Sequence, residues 1–254
     1  AANGKAPLSD RVAQAVIECF ERLPSRGKPQ GRAWTVLAGI VCEDLAGHLE
    51  VLAVATGTRC IGREAMAAGS GLVVHDCHAE VLCRRALHRY LLSEIGHGAA
   101  KVLERAEGDA AWRLRPGIRL HFYVSALPCG ECALVPISSN SEGTLARKWL
   151  RGEKGKEGDV PPEEVWKAPA VDRNRTGAKP APGMPTDPKA DGIGFHSTGV
   201  LRYKSGRSDT KAEARSVSFS CSEKLCRWNH VGWQGALLSR IIKDPLAMST
   251  IVIG

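Results

Sequence analysis

Two short clusters of potential metal ligands stand 51 positions apart in the sequence, counted from His78 to Cys129. The first cluster reads His-Ala-Glu and precedes residues 81–95, whose apolar side chains repeat with the period of a helix. The second cluster, PCGEC, follows residues 118–125, a β-branched and aromatic run typical of a strand. The 51 positions therefore leave room for that helix and one strand between the two clusters.

The residue types in these clusters fit catalytic zinc. Zinc takes a neutral imidazole and soft thiolates and can keep a fourth position for water, while a nearby carboxylate that is not a ligand moves protons. An isolated histidine before a helix is more often structural or solvated. An H-x-E pair followed by P-C-x-x-C is much more specific, and it is the pattern of zinc nucleobase deaminases. This pattern predicts His78 and Cys129 as ligands and Glu80 as the proton shuttle.

The third protein ligand has two candidates. Cys132 completes the P-C-x-x-C pattern, but a helix carrying both of its cysteines would be cut short by Pro136. Cys221 lies in Ser-Cys-Ser-Glu, which has the form of a capping box with Ser220 as the N-cap. The N-terminus of a helix lowers a thiol pKa and so favours the metal-binding thiolate. The helix argument favours Cys221, and Cys132 stays open as the alternative.

Charge and composition indicate the class of partner. The net charge of +8 favours an anionic partner, with nucleic acid first, although basic proteins without such partners are common. Nine cysteines without a secretory signal indicate reduced thiols and metal ligands rather than a disulfide framework. No apolar run approaches the length of a membrane span. Because the sequence does not begin with Met, we expect a fragment or a trimmed chain.

Several further elements follow from local patterns. Residues 9–23 predict an amphipathic helix with Ser9 as its N-cap, and residues 34–42 and 48–56 predict two strands. One strong helix is expected from near Cys221 through residue 242, and the final STIVIG is typical of a buried strand. Residues 152–191, rich in charge and proline, are expected to be an insertion with flexible parts.

A wider set of motifs carries a resemblance to a known family: HAEV-x-x-RR, TGTRCIG, PCG, RTGAK and SCSEK-x-x-RWN-x-x-G-x-QGALL. Together they resemble the editase domain of the tRNA-specific adenosine deaminase 1 family and of the RNA-editing adenosine deaminases. The resemblance implies a cytidine-deaminase-like fold, a three-layer α/β sandwich with a mixed sheet flanked by helices. It also implies His78, Cys129 and Cys221 as zinc ligands and Glu80 as the catalytic proton shuttle. One such domain is expected over residues 1–254, without the C-terminal half of the family's domain.

The resemblance extends to substrate-binding residues. Thr58 and Arg59, in TGTRC, match positions that contact the target nucleotide, although the motif taken alone is typical of a turn at a strand end. Arg175 and Lys179, in RTGAK, match a loop that approaches RNA, although the same residues would suit a solvated linker. The implied reaction is hydrolysis of adenosine to inosine in tRNA, at the adenosine immediately 3′ of the anticodon in an alanine tRNA.

A second cofactor is implied by six polar or aromatic positions. In related enzymes the matching residues hold a buried inositol hexakisphosphate, because inward-facing cations are costly unless an anion satisfies them. We expect an incomplete pocket here, since further basic ligands of the family are missing from this chain. The six residues are Arg84, Arg85, Lys224, Arg227, Trp228 and Gln234.

The leading hypothesis is a zinc-dependent tRNA adenosine deaminase, a hydrolase with an intracellular, cytoplasmic or nuclear location, no membrane association and no inferred protein partner. An editing deaminase for double-stranded RNA is the closest alternative, and the absence of a double-stranded-RNA-binding module argues against it. A cytidine or free-nucleoside deaminase would use Cys129 with Cys132. An inactive, zinc-stabilised RNA-binding fragment is the alternative from another class.

Overall fold

The structure, a computed structural model, describes residues 6–98, 101–106, 111–133, 178–181, 183–184, 199–205, 211 and 214–254. The chain divides into two compact units, of which residues 1–61, 74–127 and 224–254 form the first and residues 62–73 and 128–223 the second. Among the described helices, none combines the length and the apolar character needed to cross a membrane.

The helices are α1 (Leu8–Arg22), α2 (Arg63–Ala68), α3 (Ala79–His97), α4 (Cys221–Val231) and α5 (Gly235–Leu238). The strands are β1 (Leu37–Glu43), β2 (Leu49–Thr56), β3 (Thr58–Cys60), β4 (Asp76–His78), β5 (Leu103–Arg105), β6 (Trp112–Leu114), β7 (Arg119–Val124), β8 (Lys179–Pro180), β9 (Arg202–Tyr203) and β10 (Thr250–Ile253). A 3-10 turn spans Glu131–Ala133.

A mixed four-stranded sheet is the centre of the first unit. Its order is β10-β7-β1-β2, with β10 parallel to β7 and the other neighbours antiparallel. The register of β1 and β2 shifts between Ile40 and Val41, which indicates a bulge. The strands predicted over 34–42, 48–56 and 118–125 correspond to β1, β2 and β7. The alternation of side chains gives this sheet two faces, each available to a helix.

Helix α1 covers one face of the sheet. Val12 and Val16 are fully buried and pack with Leu37, Val41 and Tyr123. The helix begins at Leu8 with Pro7 at the N-cap, so the prediction of Ser9 as the cap is wrong. The Ser9 hydroxyl instead donates to the carboxylate of Asp10, 3.1 Å away, because both residues already lie inside the first turn.

Helix α3 covers the opposite face. In the register of the sheet, Ala53 and Phe122 flank Ile40 and therefore share its face, and the Cys83 thiol of α3 lies 3.6 Å from the carbonyl oxygen of Ala53. Because α1 packs against the alternate residues, the two helices enclose the sheet. The predicted mixed sheet flanked by helices is therefore confirmed within the first unit.

The long helix expected from Cys221 to residue 242 is interrupted. Helix α4 ends at Val231, because Gly232 adopts a φ of 103° that a right-handed helix cannot accommodate. Gly235 also has a positive φ, 71°, and only the four-residue α5 follows. Trp233, between these glycines, is fully buried, with its ring 5.0 Å from that of Phe122. Packing of this one side chain accompanies the break.

The last strand, β10, is less buried than predicted. It lies at the edge of the sheet beside β7, and Ile251 and Ile253 are 39% and 44% exposed. The alternate residue Val252 packs against the α1 core. An edge strand buries only the face that contacts its own layer, which explains the difference from the prediction.

The described residues of the second unit include α2, the 3-10 turn and the short pair β8–β9. The expected flexible insertion, 152–191, lies largely outside the described residues. Within it, Lys179 and Pro180 form β8, and the adjacent Ala178 is fully buried. Helix α4 begins in this unit at Cys221, and its residues from Lys224 onward belong to the first unit.

Candidate functional site

His78 and Glu80 stand where strand β4 turns into helix α3. His78 is the last residue of β4 and the N-cap of α3, and Glu80 lies in the first turn with 3% of its surface exposed. The backbone N–H of His78 donates to the Asp76 carboxylate over 3.0 Å. The predicted position of the H-x-E motif directly before a helix is thus confirmed, and strand β4 leads into it. The carboxylate of Glu80 is held away from bulk water.

Gly57 lets strand β3 approach this junction closely. Thr58 pairs with His78 across the β3–β4 ladder, and the N–H of Ala79 donates to the carbonyl oxygen of Gly57 over 2.9 Å. Gly57 has a φ of 153°, and a Cβ at this position would lie 2.0 Å from the carbonyl oxygen of Cys77. Only glycine fits this contact, which sets Thr58 beside His78.

Asp76 links the histidine strand to helix α4. Asp76 is 3% exposed, and its carboxylate accepts a hydrogen bond from the Lys224 ammonium over 2.5 Å. Lys224 lies three positions after Cys221, about one turn along α4. The sequence did not single out Asp76, although its place two residues before His78 and its charge were visible signals. Asp76 therefore contacts both His78 and the helix that begins with Cys221.

Within the second unit, Cys129 and Cys221 lie side by side although 92 positions separate them. Cys221 is fully buried at the start of α4, and its backbone N–H donates to the Cys129 sulfur over 3.4 Å. An N–H that points at sulfur favours the thiolate form. Cys132 is exposed in the 3-10 turn, and its own N–H donates to the Ser222 hydroxyl over 3.0 Å.

Ser222 and Gly130 hold the two cysteine segments together. The Ser222 hydroxyl donates to the carbonyl oxygen of Cys129 over 2.9 Å, and the Ser222 N–H donates to the same oxygen over 3.0 Å. A Cβ on Gly130, whose φ is 104°, would lie 2.1 Å from the Ser220 hydroxyl oxygen. Sequence reasoning missed both roles, since neither contact follows from a local pattern. The repeated Ser in SCS and the Gly after Cys129 were the available signals.

The predicted capping box forms only by half. The N–H of Glu223 donates to the Ser220 hydroxyl over 3.4 Å, so Ser220 caps α4 as expected. The N–H of Ser220 donates to the carbonyl oxygen of Arg202 instead of to Glu223. The Glu223 carboxylate accepts from the N–H of Arg202 over 2.9 Å. The backbone of Arg202 in strand β9 thus takes the place of the Ser220–Glu223 bond that would complete the capping box.

Three donors, His78, Cys129 and Cys221, form a group that could hold a metal ion. The described part of the first unit contains two buried cysteines, Cys42 and Cys83. Burial raises the pKa of Cys42 to about 11, and burial also raises the pKa of Cys83. Both therefore remain neutral thiols at pH 7, which are poor metal ligands.

The predicted substrate residues divide between the two units. Thr58 and Arg59 are exposed on β3 and line an open groove of about 350 Å³ in the first unit. Lys179 is half-buried in β8 of the second unit, with Tyr203 as its ladder partner. Arg175 lies outside the described residues.

The six residues predicted for a polyanion have varied surroundings. The Arg84 guanidinium stacks 4.7 Å above the Trp228 ring and donates to the carbonyl oxygen of Trp233 over 2.9 Å. Burial, with a smaller effect from the Arg227 charge, lowers the pKa of Arg84 to about 10. Arg85 is exposed. Gln234 is 2% exposed, and its amide bonds the backbone of Asp244 and Leu246 at 3.0 and 2.8 Å. Gln234 and Lys224 thus already have protein partners.

Comparison with known proteins agrees with this arrangement. The family model of the adenosine-deaminase (editase) domain matches residues 53–254. The chain is 30% identical to tRNA-specific adenosine deaminase 1 of Mus musculus, over 97% of this chain and 65% of the relative. It is 31% identical to the protein of the same name in Drosophila melanogaster, over 98% of this chain and 56% of the relative.

A third relative is the double-stranded RNA-specific editase Adar of Drosophila melanogaster, 29% identical over 97% of this chain and 33% of the relative. The chain spans less than two thirds of the length of the tRNA-specific relatives. The matched region includes His78, Glu80, Cys129 and Cys221, and the described α/β architecture is consistent with the cytidine-deaminase-like fold expected of such a domain. The chain belongs to the adenosine-deaminase (editase) domain family.

Proposed function

We propose that this chain is a zinc-dependent adenosine deaminase that converts adenosine to inosine in tRNA, at the adenosine immediately 3′ of the anticodon. The observations that carry the proposal are a His-x-Glu junction at the start of α3 and the buried Cys221 at the start of α4, whose N–H donates to the Cys129 sulfur. The names of the tRNA-specific relatives support the substrate class. A tRNA substrate implies an intracellular location, in the cytoplasm or the nucleus.

In this proposal His78, Cys129 and Cys221 are the zinc ligands. One imidazole and two thiolates suit zinc and leave a position for water. The pairing of Lys224 with Asp76, and of the Cys221 N–H with the Cys129 sulfur, supports this assignment. Cys132 is exposed, and its backbone N–H bonds the Ser222 hydroxyl. Both observations support a structural role in the turn for Cys132 rather than a role as a zinc ligand.

Glu80 is the proposed proton shuttle. Held by His78, Cys129 and Cys221, zinc would supply a water of lowered pKa as the nucleophile for C6 of the purine. The buried Glu80 carboxylate would take one proton from that water and deliver it to ring nitrogen N1. It would then take the proton of the new C6 hydroxyl and deliver it to the departing amino group. One water is consumed and one ammonia released for each inosine formed. Thr58 and Arg59 would orient the nucleotide from the neighbouring strand, and Arg175 and Lys179 would contact RNA.

The proposal is tested by inosine formation on an alanine tRNA, read by mass spectrometry of the digested RNA. Glu80→Gln should keep its zinc yet lose activity by about 10²–10⁴-fold, because the shuttle is removed. Glu18→Gln on α1, a solvent-facing control, should behave as the parent protein. Zinc without inosine on any RNA would favour an RNA-binding fragment, and inosine only in duplex RNA would favour a double-stranded-RNA editase.

The ligand assignment has its own experiment. We expect Cys221→Ala to lose bound zinc and Cys132→Ala to retain it, measured by elemental analysis of purified protein. Loss of zinc only in Cys132→Ala would overturn the assignment and restore the P-C-x-x-C pair.

We also propose that Arg84, Arg85 and Arg227 bind a polyanion such as inositol hexakisphosphate. The lowered pKa of Arg84, caused by burial and by Arg227, supports this, because a bound anion would offset both costs. Gln234 and Lys224 already bond other protein groups, which supports an anion site formed by fewer than the six predicted residues. Thermal stabilisation by inositol hexakisphosphate that is lost in Arg84→Gln would confirm it, and no shift would refute it.

A further inference from the structure

An exposed tryptophan lies on the wall of the groove beside the β3–β4 ladder. Trp34 is 75% exposed, an unusual state for a large aromatic side chain. Single exposed apolar residues are common and carry no meaning alone. The position of Trp34 in a groove shared with Lys28, Thr58 and Arg59 distinguishes it from the others.

The groove borders strand β4, whose last residue is His78. Its lining includes Thr58, the ladder partner of His78, and Cys77, the residue before His78. Directly paired residues in an antiparallel ladder stand about 5 Å apart between Cα atoms. Its volume of about 350 Å³ lies within the range of about 300–1,000 Å³ for ligand sites. A chain bound in this groove would therefore pass next to His78.

The charges of the groove indicate which class of polymer it would bind. Among the described residues, its lining contains the cations Lys28 and Arg59 and no carboxylate. The Lys28 ammonium lies 4.9 Å above the Phe20 ring and donates to the carbonyl oxygen of Glu21 over 2.9 Å. These contacts fix the cation at the C-terminal end of α1. A fixed positive charge near an exposed aromatic ring is the combination that single-stranded nucleic acid binds, with phosphates on the cations and a base on the ring.

We propose that this groove binds the single-stranded RNA next to the target adenosine, with one neighbouring base stacked on the Trp34 indole. The inference rests on the proposed function and adds a base-stacking platform to it. Trp34 acts as a positioning residue: the stacked base fixes the RNA backbone along Arg59 and Thr58, so that the target nucleotide enters beside His78. Stacking accepts any base, so Trp34 contributes affinity and placement rather than sequence preference.

The test compares substitutions of Trp34 in the full chain that also carries Glu80→Gln, so that the RNA is not converted. The probe is an RNA hairpin with an adenosine in its single-stranded loop, and binding is followed by fluorescence anisotropy. We expect Trp34→Ala and Trp34→Leu to weaken binding about 5- to 150-fold, as loss of one base–aromatic stack requires. Trp34→Phe should remain within about threefold, because it keeps an aromatic face.

Leu237→Ala provides the matched control, since Leu237 is 76% exposed and lies on α5. It should bind the hairpin as the parent protein does. Unchanged binding in Trp34→Ala, or full retention in Trp34→Leu, would overturn the stacking platform. A duplex that is bound as tightly as the hairpin, with the same loss in Trp34→Ala, would overturn the single-stranded assignment.

The inosine assay separates this inference from the proposed function. If the chain with Glu80 intact forms inosine in tRNA while Trp34→Ala binds normally, the stacking inference fails and the proposed function stands. If Trp34→Ala loses hairpin binding but Glu80-intact protein forms no inosine, the groove inference stands and the proposed function fails. If the hairpin does not bind at all, the groove inference is overturned.

Discussion

Ser222 is the residue whose contacts most directly order the cysteine pair. Its hydroxyl accepts the N–H of Cys132 and donates to the carbonyl oxygen of Cys129, and its surface is 8% exposed. The position of the Cys129 sulfur therefore depends on a group that has no place in the metal chemistry.

We expect Ser222→Ala to lower the free energy of unfolding by about 1–3 kcal/mol, because it leaves the N–H of Cys132 without its acceptor. Urea denaturation measures the change. Zinc should also leave faster when a chelator is added, since the Cys129 segment is less well held. Ser239→Ala, which removes an exposed hydroxyl, should change stability by no more than about 0.5 kcal/mol. Equal effects of the two substitutions would contradict this role.

His88 makes stability depend on pH. Burial, followed by the charges of Arg84 and Arg85, lowers the pKa of His88, while its bond to the carbonyl oxygen of Trp233 opposes the shift. A lowered folded pKa means that the unfolded chain binds the proton more readily. The stabilisation from neutral His88 is therefore complete above pH 6.5, the ordinary histidine value, and is lost as the pH falls below it.

Substitution of His88 by Gln should reduce this acid sensitivity. Between pH 7.5 and pH 5.5 the parent protein should lose more unfolding free energy than His88→Gln, as compared by urea midpoints in parallel titrations. The comparison of two proteins cancels the other groups that titrate in this range. A larger acid loss in His88→Gln than in the parent would reverse the sign and refute the assignment.

At the scale of secondary-structure elements, a glycine beside His78 and a glycine at the far end of α3 should respond in opposite directions to substitution by alanine. Gly57 ends β2 with a positive φ and meets the carbonyl oxygen of Cys77, whereas Gly96 lies in α3 with open space around it. Gly57→Ala should destabilise by about 1–3 kcal/mol from backbone strain, and the clash adds to this. Gly96→Ala should stabilise by about 0.5 kcal/mol through its higher helix propensity. Both are measured by chemical denaturation, and a neutral Gly57→Ala would contradict the close β3–β4 contact.

Elements with a strong period were predictable from the sequence alone. The helix predicted over 81–95 lies within α3, which extends two residues further at each end. The strands β1, β2 and β7 overlap the predicted strands closely. Their signals are local, because the side chains that define each face lie within a few residues of each other. The end of α4 was not predictable in this way. Its QGALLSRII continuation has a helical composition, and the break depends on where Trp233 is buried.

At the scale of the whole molecule, the positive charge should govern RNA affinity. With a net charge of +8, binding should weaken as salt rises, with a slope of about −0.7 for each phosphate neutralised on a single strand. Arg59→Ala should reduce the magnitude of this slope by about 0.7, the value for one phosphate contact on a single strand. Arg89→Ala, which removes the same charge from an exposed site on α3, should leave the slope nearly unchanged. Anisotropy titrations of hairpin RNA at several salt concentrations distinguish the two, and equal slopes would remove Arg59 from the interface.

The sequence by itself determined the chemistry that the chain carries and the identity of its main elements. His-x-Glu, the cysteines and the basic residues are fixed by composition and order, and the deaminase family followed from motifs that the family comparison confirms. The choice of Cys221 over Cys132, and the substrate and polyanion residues, remain predictions to be tested. Local rules reach only about one helical turn along the chain.

Tertiary structure alone decided which partner each polar group takes. Glu223 bonds the backbone of Arg202 rather than that of Ser220, and Lys224 bonds the buried Asp76. The same holds for the exposure of Trp34 and for the Ser222 contacts that span 93 positions. The physical reason is that a buried polar group must be satisfied by whichever segment packs against it, and that segment is chosen by long-range packing.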